Sequence, residues 1–277
     1  MELQKVKIHR KQENGSAVSQ ITLDDDYNVP DYRPDIMKVL KEKGELRFDE
    51  VKAGSGAVWV KGSLLFSVLY RSEGGSGKIS CLKGEIPFQE KLNLDGLQEF
   101  GKVRAAGEIE DITIGVINSR KLNVRALVVL RATAEEEIDE EFTTKLEEPG
   151  EYEQQIGNLE ALHLVLSSRD ICRQKSEVVL PSSKPNVREI LWRSVELRNV
   201  EGTVREGRAL VTGEVLVAVL YSEEEESERL QWYETTVPLE CGADCEVDEE
   251  NCICRIAASP LAAELEIKPD YDGEERI

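Results

Sequence analysis

One block of this chain occurs twice, 151 residues apart. Val29-Pro30-Asp31-Tyr32-Arg33-Pro34-Asp35-Ile36-Met37-Lys38-Val39-Leu40 returns as Leu180-Pro181-Ser182-Ser183-Lys184-Pro185-Asn186-Val187-Arg188-Glu189-Ile190-Leu191. The offset holds further on. Val60–Tyr70 (VKGSLLFSVLY) matches Val211–Tyr221 (VTGEVLVAVLY), and Ile86-Pro87-Phe88 matches Val237-Pro238-Leu239. A constant offset across three separate blocks marks two copies of one folding unit. The fold must therefore be one that fits twice into 277 residues, at roughly 100–150 residues a copy, each burying its own core. The run ending in Pro149-Gly150 is the expected boundary, which gives domains at 1–150 and 151–277.

The repeated block is a structural signal. Its prolines, Pro30 and Pro34 with their counterparts Pro181 and Pro185, fix φ and remove amide donors. The second proline suits the first position of a helix, with Asp35 in the first turn beside the positive dipole end. Ile36, Val39 and Leu40 follow at helical spacing, so the block predicts an extended entry and a short docked helix ending near Gly44.

Strand periodicity dominates elsewhere. Val58, Val60, Leu64, Phe66, Val68 and Tyr70 share one face, and Ala209, Val211, Val215, Val217, Val219 and Tyr221 repeat it. Gly62 and Gly213 interrupt both faces at the same point, which predicts a bend, a bulge or a close backbone approach. Gly74–Gly77 reads as a hairpin loop, with the acidic Glu223–Glu228 as its counterpart. The apolar phase slips from odd to even positions between Ile109 and Ile112, and again around Pro260, so a bulge or turn belongs there. Residues 1–28 give only a weak strand signal, at Leu3–Ile8. The fold class that follows is mostly β: two tandem homologous strand-rich domains, sheets or sandwiches, each with a short helix. The expected core is Ile36, Val39, Leu40, Val60, Leu64, Phe66 and Val68, with Val187, Ile190, Leu191, Val211, Val215, Val217 and Val219 in the second copy. The first copy closes with a strand over Leu122–Ala132. Nothing in the 277 residues matches Asn123–Ala132 in the second copy, so an unpaired strand edge is expected beside Ala263, Leu265 and Ile267, with self-association as its consequence.

Charge bounds the partners. The net charge is −20, which argues against nucleic acid or an anionic membrane surface. The acidic runs at Asp24–Asp26, Glu135–Glu141, Glu223–Glu226 and Asp248–Glu250 read first as solvated loops, and second as docking sites for a basic partner. No apolar stretch suits a signal peptide or a membrane span, so a cytoplasmic location is expected.

No catalytic motif stands out, and no enzyme activity or cofactor is expected. Gly75-Ser76-Gly77-Lys78 lacks the glycine spacing, the hydroxyl residue and the helix of a phosphate loop. His9 and His163 lie in different copies with no partner motif. Cys241, Cys245, Cys252 and Cys254 fall within 14 residues, but only one residue separates the last two, unlike paired structural zinc ligands. Reduced thiols are the plain reading of these four; a metal or redox cluster and inter-chain crosslinks are the alternatives.

The two-proline entry, the long strand ending in Val-Leu-Tyr, and the run Asp111–Ala132 (DITIGVINSRKLNVRALVVLRA) together resemble the SPOCS domain of SipL-type clostridial spore coat morphogenesis proteins. The resemblance covers most of both copies. It implies a non-enzymatic structural or interaction protein of spore envelope assembly, in the mother cell at the forespore surface. In that family a LysM module recruits a SpoIVA-type ATPase; no LysM stretch is visible in these residues, so that contact is not expected of them. A carbohydrate- or peptidoglycan-binding β module near the spore cortex is the rival reading.

Overall fold

The computed structural model describes residues 3–74, 78–97, 99, 101–146, 155, 157–158, 160–223, 229–245, 252–261, 263–269 and 275–276. The first repeat holds six strands: β1 (Leu3–Asn28), β2 (Ile36–Gly54), β3 (Ala57–Ser72), β4 (Ile79–Asn93), β5 (Lys102–Asn118) and β6 (Lys121–Leu146). They form two antiparallel sheets, ordered β1-β6-β5 and β2-β3-β4. The sheets stack face to face, as alternating apolar strands must to hide one face from water. The central strands supply the middle of the core. Val58, Val60, Leu64, Phe66 and Val68 of β3 meet Leu122, Val124, Ala126, Val128, Leu130 and Ala132 of β6, none more than 1% exposed. Outside them β1 lies over β4, where Ser19 donates to Glu90 at 2.7 Å, and β5 lies over β2, where Ile109 and Ile112 close on Gly44. The phase slip read between Ile109 and Ile112 is a register shift between Ile109 and Asp111.

Among the described residues there is no helix, and the one expected at Pro34–Leu40 is the start of β2. Two bulges explain the helical spacing. Against β3, the β2 register skips Met37, between Ile36 and Lys38, and Leu40, between Val39 and Lys41. Each extra residue restores the inward phase of the next apolar one. Ile36 is buried and Val39 half-buried, while Met37 and Leu40 are 61% and 44% exposed. Leu40 is thus not core, and Gly44 is a mid-strand glycine, not a helix stop. β1 likewise runs far past Leu3–Ile8, because β6 pairs with it along nearly its whole length.

The second repeat carries β7 (Val187–Arg205), β8 (Arg208–Glu223) and β9 (Leu230–Asp244), ordered β7-β8-β9. This sheet reproduces β2-β3-β4, down to bulges at the equivalent positions Val187/Glu189 and Ile190/Trp192. A two-rung hairpin follows, β10 (Lys268–Pro269) with β11 (Glu275–Arg276). Among the described residues the opposing sheet is not reproduced. The described residues of 160–178 and 252–267 take no strand ladder, so Leu261–Ile267 is not the strand expected. It still alternates: Ala263, Leu265 and Ile267 are half-buried, Glu264 and Glu266 exposed. Val187, Leu191 and Val219 are buried, but Val211, Val215 and Val217 are only half-buried, short of the core role expected of them. The readings placed on Gly75–Gly77, Pro149-Gly150, Glu224–Glu226 and Asp248–Glu250 lie outside the described residues.

Candidate functional site

The repeated two-proline block is the crossover between sheets. It carries the chain from β1, in one sheet of the first repeat, to β2 in the other. Pro30 accepts from the Arg33 amide at 2.9 Å, and Pro181 accepts from the Lys184 amide at 2.8 Å, so each copy makes the same tight turn. The carbonyls of Pro34 and Pro185 each accept the buried tyrosine hydroxyl that ends the long strand, Tyr70 at 3.0 Å and Tyr221 at 3.1 Å. This is why both long strands end in Val-Leu-Tyr: a buried phenol needs a partner. Burial pushes the Tyr70 hydroxyl above its ordinary titration range.

Asp35 plays no helix-dipole role. It accepts from Ser119 at 3.0 Å and from Arg120 at 3.0 Å. The Arg120 guanidinium also donates to the carbonyls of Arg33 at 2.7 Å and Val29 at 2.9 Å. One side chain from the β5–β6 turn therefore locks the crossover to the opposite sheet. Arg120 escaped notice in the sequence because its partners lie 85–91 residues away. Asn186 stands where Asp35 does, so the second repeat lacks this carboxylate.

Gly62 and Gly213 mark close backbone approaches. A Cβ on Gly62 would meet the Arg47 carbonyl at 2.3 Å, and one on Gly213 the equivalent Arg198 carbonyl at 3.1 Å. A register shift lies opposite each, at Phe48/Glu50 and Arg198/Glu201.

The acidic run Glu135–Glu141 is strand rather than loop, and its basic partner is the chain's own N-terminus. Across the β1–β6 ribbon Lys5 pairs with Glu141 at 2.8 Å, Lys7 with Asp139 at 2.5 Å and Lys11 with Glu135 at 2.7 Å. His9 bonds Asp139, Arg10 pairs with Glu140, and Lys102 of β5 reaches Glu137 at 2.7 Å. Lys7, then His9, hold the Asp139 carboxyl below its usual range, and Lys102 and Lys5 do the same for Glu137 and Glu141. The ribbon also brings the two histidines together, which nothing in the sequence foretold. The His9 amide donates to His163 Nδ1 at 3.0 Å, and the Leu164 amide donates to the His9 carbonyl at 2.7 Å.

The cysteines do not act as one set. Cys241 is bonded to Cys172, 69 residues earlier, with Cα atoms 6.1 Å apart. That removes it from a four-thiol cluster with Cys245, Cys252 and Cys254. Positions equivalent to Cys172 and Cys241 are Ile21 of β1 and Glu90 of β4, which belong to strands that touch across the first sandwich. The disulfide thus holds the 160–178 segment over β9 as β1 lies over β4. Among the described residues, no group of three or more His, Cys, Asp and Glu side chains is placed to hold a metal ion.

The repeats meet through a small apolar junction. Leu69 and Cys81 of the first repeat bury against Leu191 and Trp192 of the second. Arg33 pairs with Glu189 at 2.8 Å, and the Lys41 ammonium sits 5.2 Å from the Trp192 ring centre. Burial raises the Cys81 thiol above its ordinary value, so it is packed as an apolar group. Beside the junction lies an open cleft of about 410 Å³ rimmed by Lys43, Glu45, Lys83, Glu85 and Arg193, charges of both signs with no nucleophile–base pair among them.

No helix of the described residues is long and apolar enough to cross a membrane. Neither the curated proteins nor the solved structures returned a match. The family model described as SipL, SPOCS domain, matches residues 35–117 and again 186–268, two segments set apart by the same offset as the repeat. Those segments run from the end of the crossover to the end of β5 and its equivalent, and together they cover more than half of the chain, which belongs to the SipL family of SPOCS-domain proteins, a sporulation-related family.

Proposed function

We propose that this chain is a non-enzymatic interaction protein of spore envelope assembly, working through protein–protein contacts in the mother cell at the forespore surface. The family match over both repeats carries the reading. The side-chain chemistry supports it. The charged residues that stand out are engaged in ties within the fold: Arg120 at the crossover, and the ion pairs of the β1–β6 ribbon. What the surface offers is broad sheet faces with single exposed apolar residues, such as Met37, Leu40, Leu230 and Trp232. Of these, Trp232 is the type of side chain that most often anchors a protein interface, and the flexible Met37 adapts to a partner surface. A SpoIVA-type ATPase is reached in SipL-type proteins through a LysM module, so it is not the partner proposed for these residues.

The carbohydrate-binding alternative needs an aromatic platform. Trp59 and Trp232 are 41% and 48% exposed, but they belong to different repeats and to opposite ends of equivalent sheets, with Trp59 near the β2–β3 turn. Two tests separate the readings. A fluorescent fusion in sporulating cells should form a ring at the forespore, and a deletion strain should assemble a defective envelope. Diffuse fluorescence with normal spores would overturn the assembly reading. Sedimentation of the purified protein with peptidoglycan sacculi would favour the rival.

A further inference from the structure

The junction between the repeats borders a basic row that the fold itself does not use. Antiparallel pairing puts Lys41, Leu69 and Cys81 side by side across β2, β3 and β4, and the next row on the same face is Lys43, Ser67 and Lys83. That face is the outer one, since Phe66 and Val68, on either side of Ser67, are sealed in the core. Leu191 and Trp192 of the second repeat cover Leu69 and Cys81. Arg193 follows directly in the chain and joins Lys43, Ser67 and Lys83 in lining the cleft of about 410 Å³. Three cations, drawn from both repeats, thus share one cleft with a half-buried serine.

The carboxylates of that cleft are already taken. Glu45 pairs with Lys43 at 2.8 Å, and Glu85 accepts from Arg47 and from Ser63, both at 2.6 Å. Among the described residues neither Lys83 nor Arg193 has an ion-pair partner, and the Ser67 hydroxyl makes no hydrogen bond. Two unpaired cations in one cleft stand out in a chain of net charge −20, which has carboxylates in excess. Nor does the fold require the row. Its match across β7, β8 and β9 is Ser194, Ala218 and Glu234, with no cation in it. Like charges gathered in one cleft repel, and an anion between them relieves the cost.

We propose that this cleft binds an acidic segment of a partner protein, with a carboxylate held by Lys83 and Arg193 and accepting from the Ser67 hydroxyl. The volume is that of a site for a ligand larger than one small ion, and Leu65 and Phe66 give it an apolar part, so a peptide suits it better than a free inorganic anion. The proposal deepens the interaction reading, on which it rests for its ligand being a protein.

The test titrates the purified chain into fluorescein-labelled hexaglutamate and follows anisotropy at about 0.1 M salt, where long-range repulsion by the rest of the chain is screened. Saturable binding is expected, with none for labelled hexaglutamine. Lys83→Glu and Arg193→Glu should each weaken it by about fivefold or more, because reversal turns an attraction into a repulsion. Lys52→Glu changes the net charge equally, about 30 Å along β2 from Lys43, and should leave binding as it is. Should Arg193→Glu lower the melting transition, Lys83→Glu, at an exposed side chain, decides alone. No saturable binding, or binding that Lys83→Glu leaves unchanged, overturns the proposal. Displacement of the peptide by an equal concentration of inorganic phosphate would assign the cleft to a free anion, and a dimer of this chain that hexaglutamate dissolves would assign it to a second copy. Either result overturns the acidic partner. All of these readouts come from the purified chain, so they stand or fall apart from the forespore localisation that tests the assembly role.

Discussion

Gly62 and Gly213 occupy one position in two copies, yet they are not equally constrained. The backbone of β2 approaches Gly62 so closely that a Cβ would stand 2.3 Å from the Arg47 carbonyl, with the Phe88 ring at 2.8 Å. At Gly213 the equivalent carbonyl is 3.1 Å away and Val200 at 3.3 Å, distances a small shift relieves. Gly62→Ala should therefore cost about 2–3 kcal/mol, as overpacking in a sealed core does. Gly213→Ala should cost under about 1 kcal/mol, because the lost chain entropy of glycine offsets part of the crowding. Chemical denaturation of the two variants checks the difference; equal costs would mean that the two sheets pack alike. Arg120 gives a second residue-scale prediction. Arg120→Ala removes charge-assisted bonds to two carbonyls and to Asp35, and should cost about 2 kcal/mol. An unchanged midpoint would show that water replaces the guanidinium without loss.

At the scale of elements, the β1–β6 ribbon is the part of the molecule whose stability should follow pH. Asp139, Glu137 and Glu141 titrate lower in the fold than free carboxyls, whose ordinary values are 3.8 for Asp and 4.5 for Glu. A depressed carboxyl stabilises above its unfolded value, and that contribution is lost as pH falls through the folded one. Lys7, bonded to Asp139, titrates above its ordinary 10.5, so its share is present below that value and lost at higher pH. The ribbon should be most protected between about pH 4.5 and 10.5. It should open first on acidification, and sooner in high salt because the pairs are exposed. Proteolysis or hydrogen exchange of residues 3–13 and 136–145 against pH measures this; protection unchanged down to pH 3 would assign the ribbon's stability to backbone pairing alone. The crossover block is equally an element-scale lesson. Ile36, Val39 and Leu40 have helical spacing because two bulges re-phase a strand, and a bulge is fixed by the strand opposite, not by the bulged residues themselves.

For the whole molecule, the two repeats should unfold as different bodies. The first is a closed sandwich with a sealed core. The second has a smaller core and one covalent tie, Cys172–Cys241, closing a loop of 69 residues. Such a crosslink stabilises by about 4 kcal/mol on loop entropy alone. Reduction, or Cys172→Ser, should lower the melting transition of the second repeat and leave that of the first in place. Calorimetry with and without reductant reads this directly, and a single shared transition that moves as a whole would show instead that the junction at Leu69, Cys81, Leu191 and Trp192 couples the repeats.

The sequence by itself determined the tandem architecture, the β class, the face of β3, the slip after Ile109 and the two glycines. Each of these is written in local spacing or in self-similarity, which need no knowledge of what lies opposite. Only the tertiary structure decided the rest. The helical spacing at Ile36–Leu40 became a bulged strand once β3 paired with it. The acidic run Glu135–Glu141 found most of its counter-charges more than 120 residues away, in β1. Cys241 left its near neighbours for Cys172. Val211, Val215 and Val217 have the right period for a core but are half-buried, because burial depends on a covering strand. Period assigns a side chain to a face; what covers that face is a contact between distant parts of the chain, and spacing along the chain does not encode it.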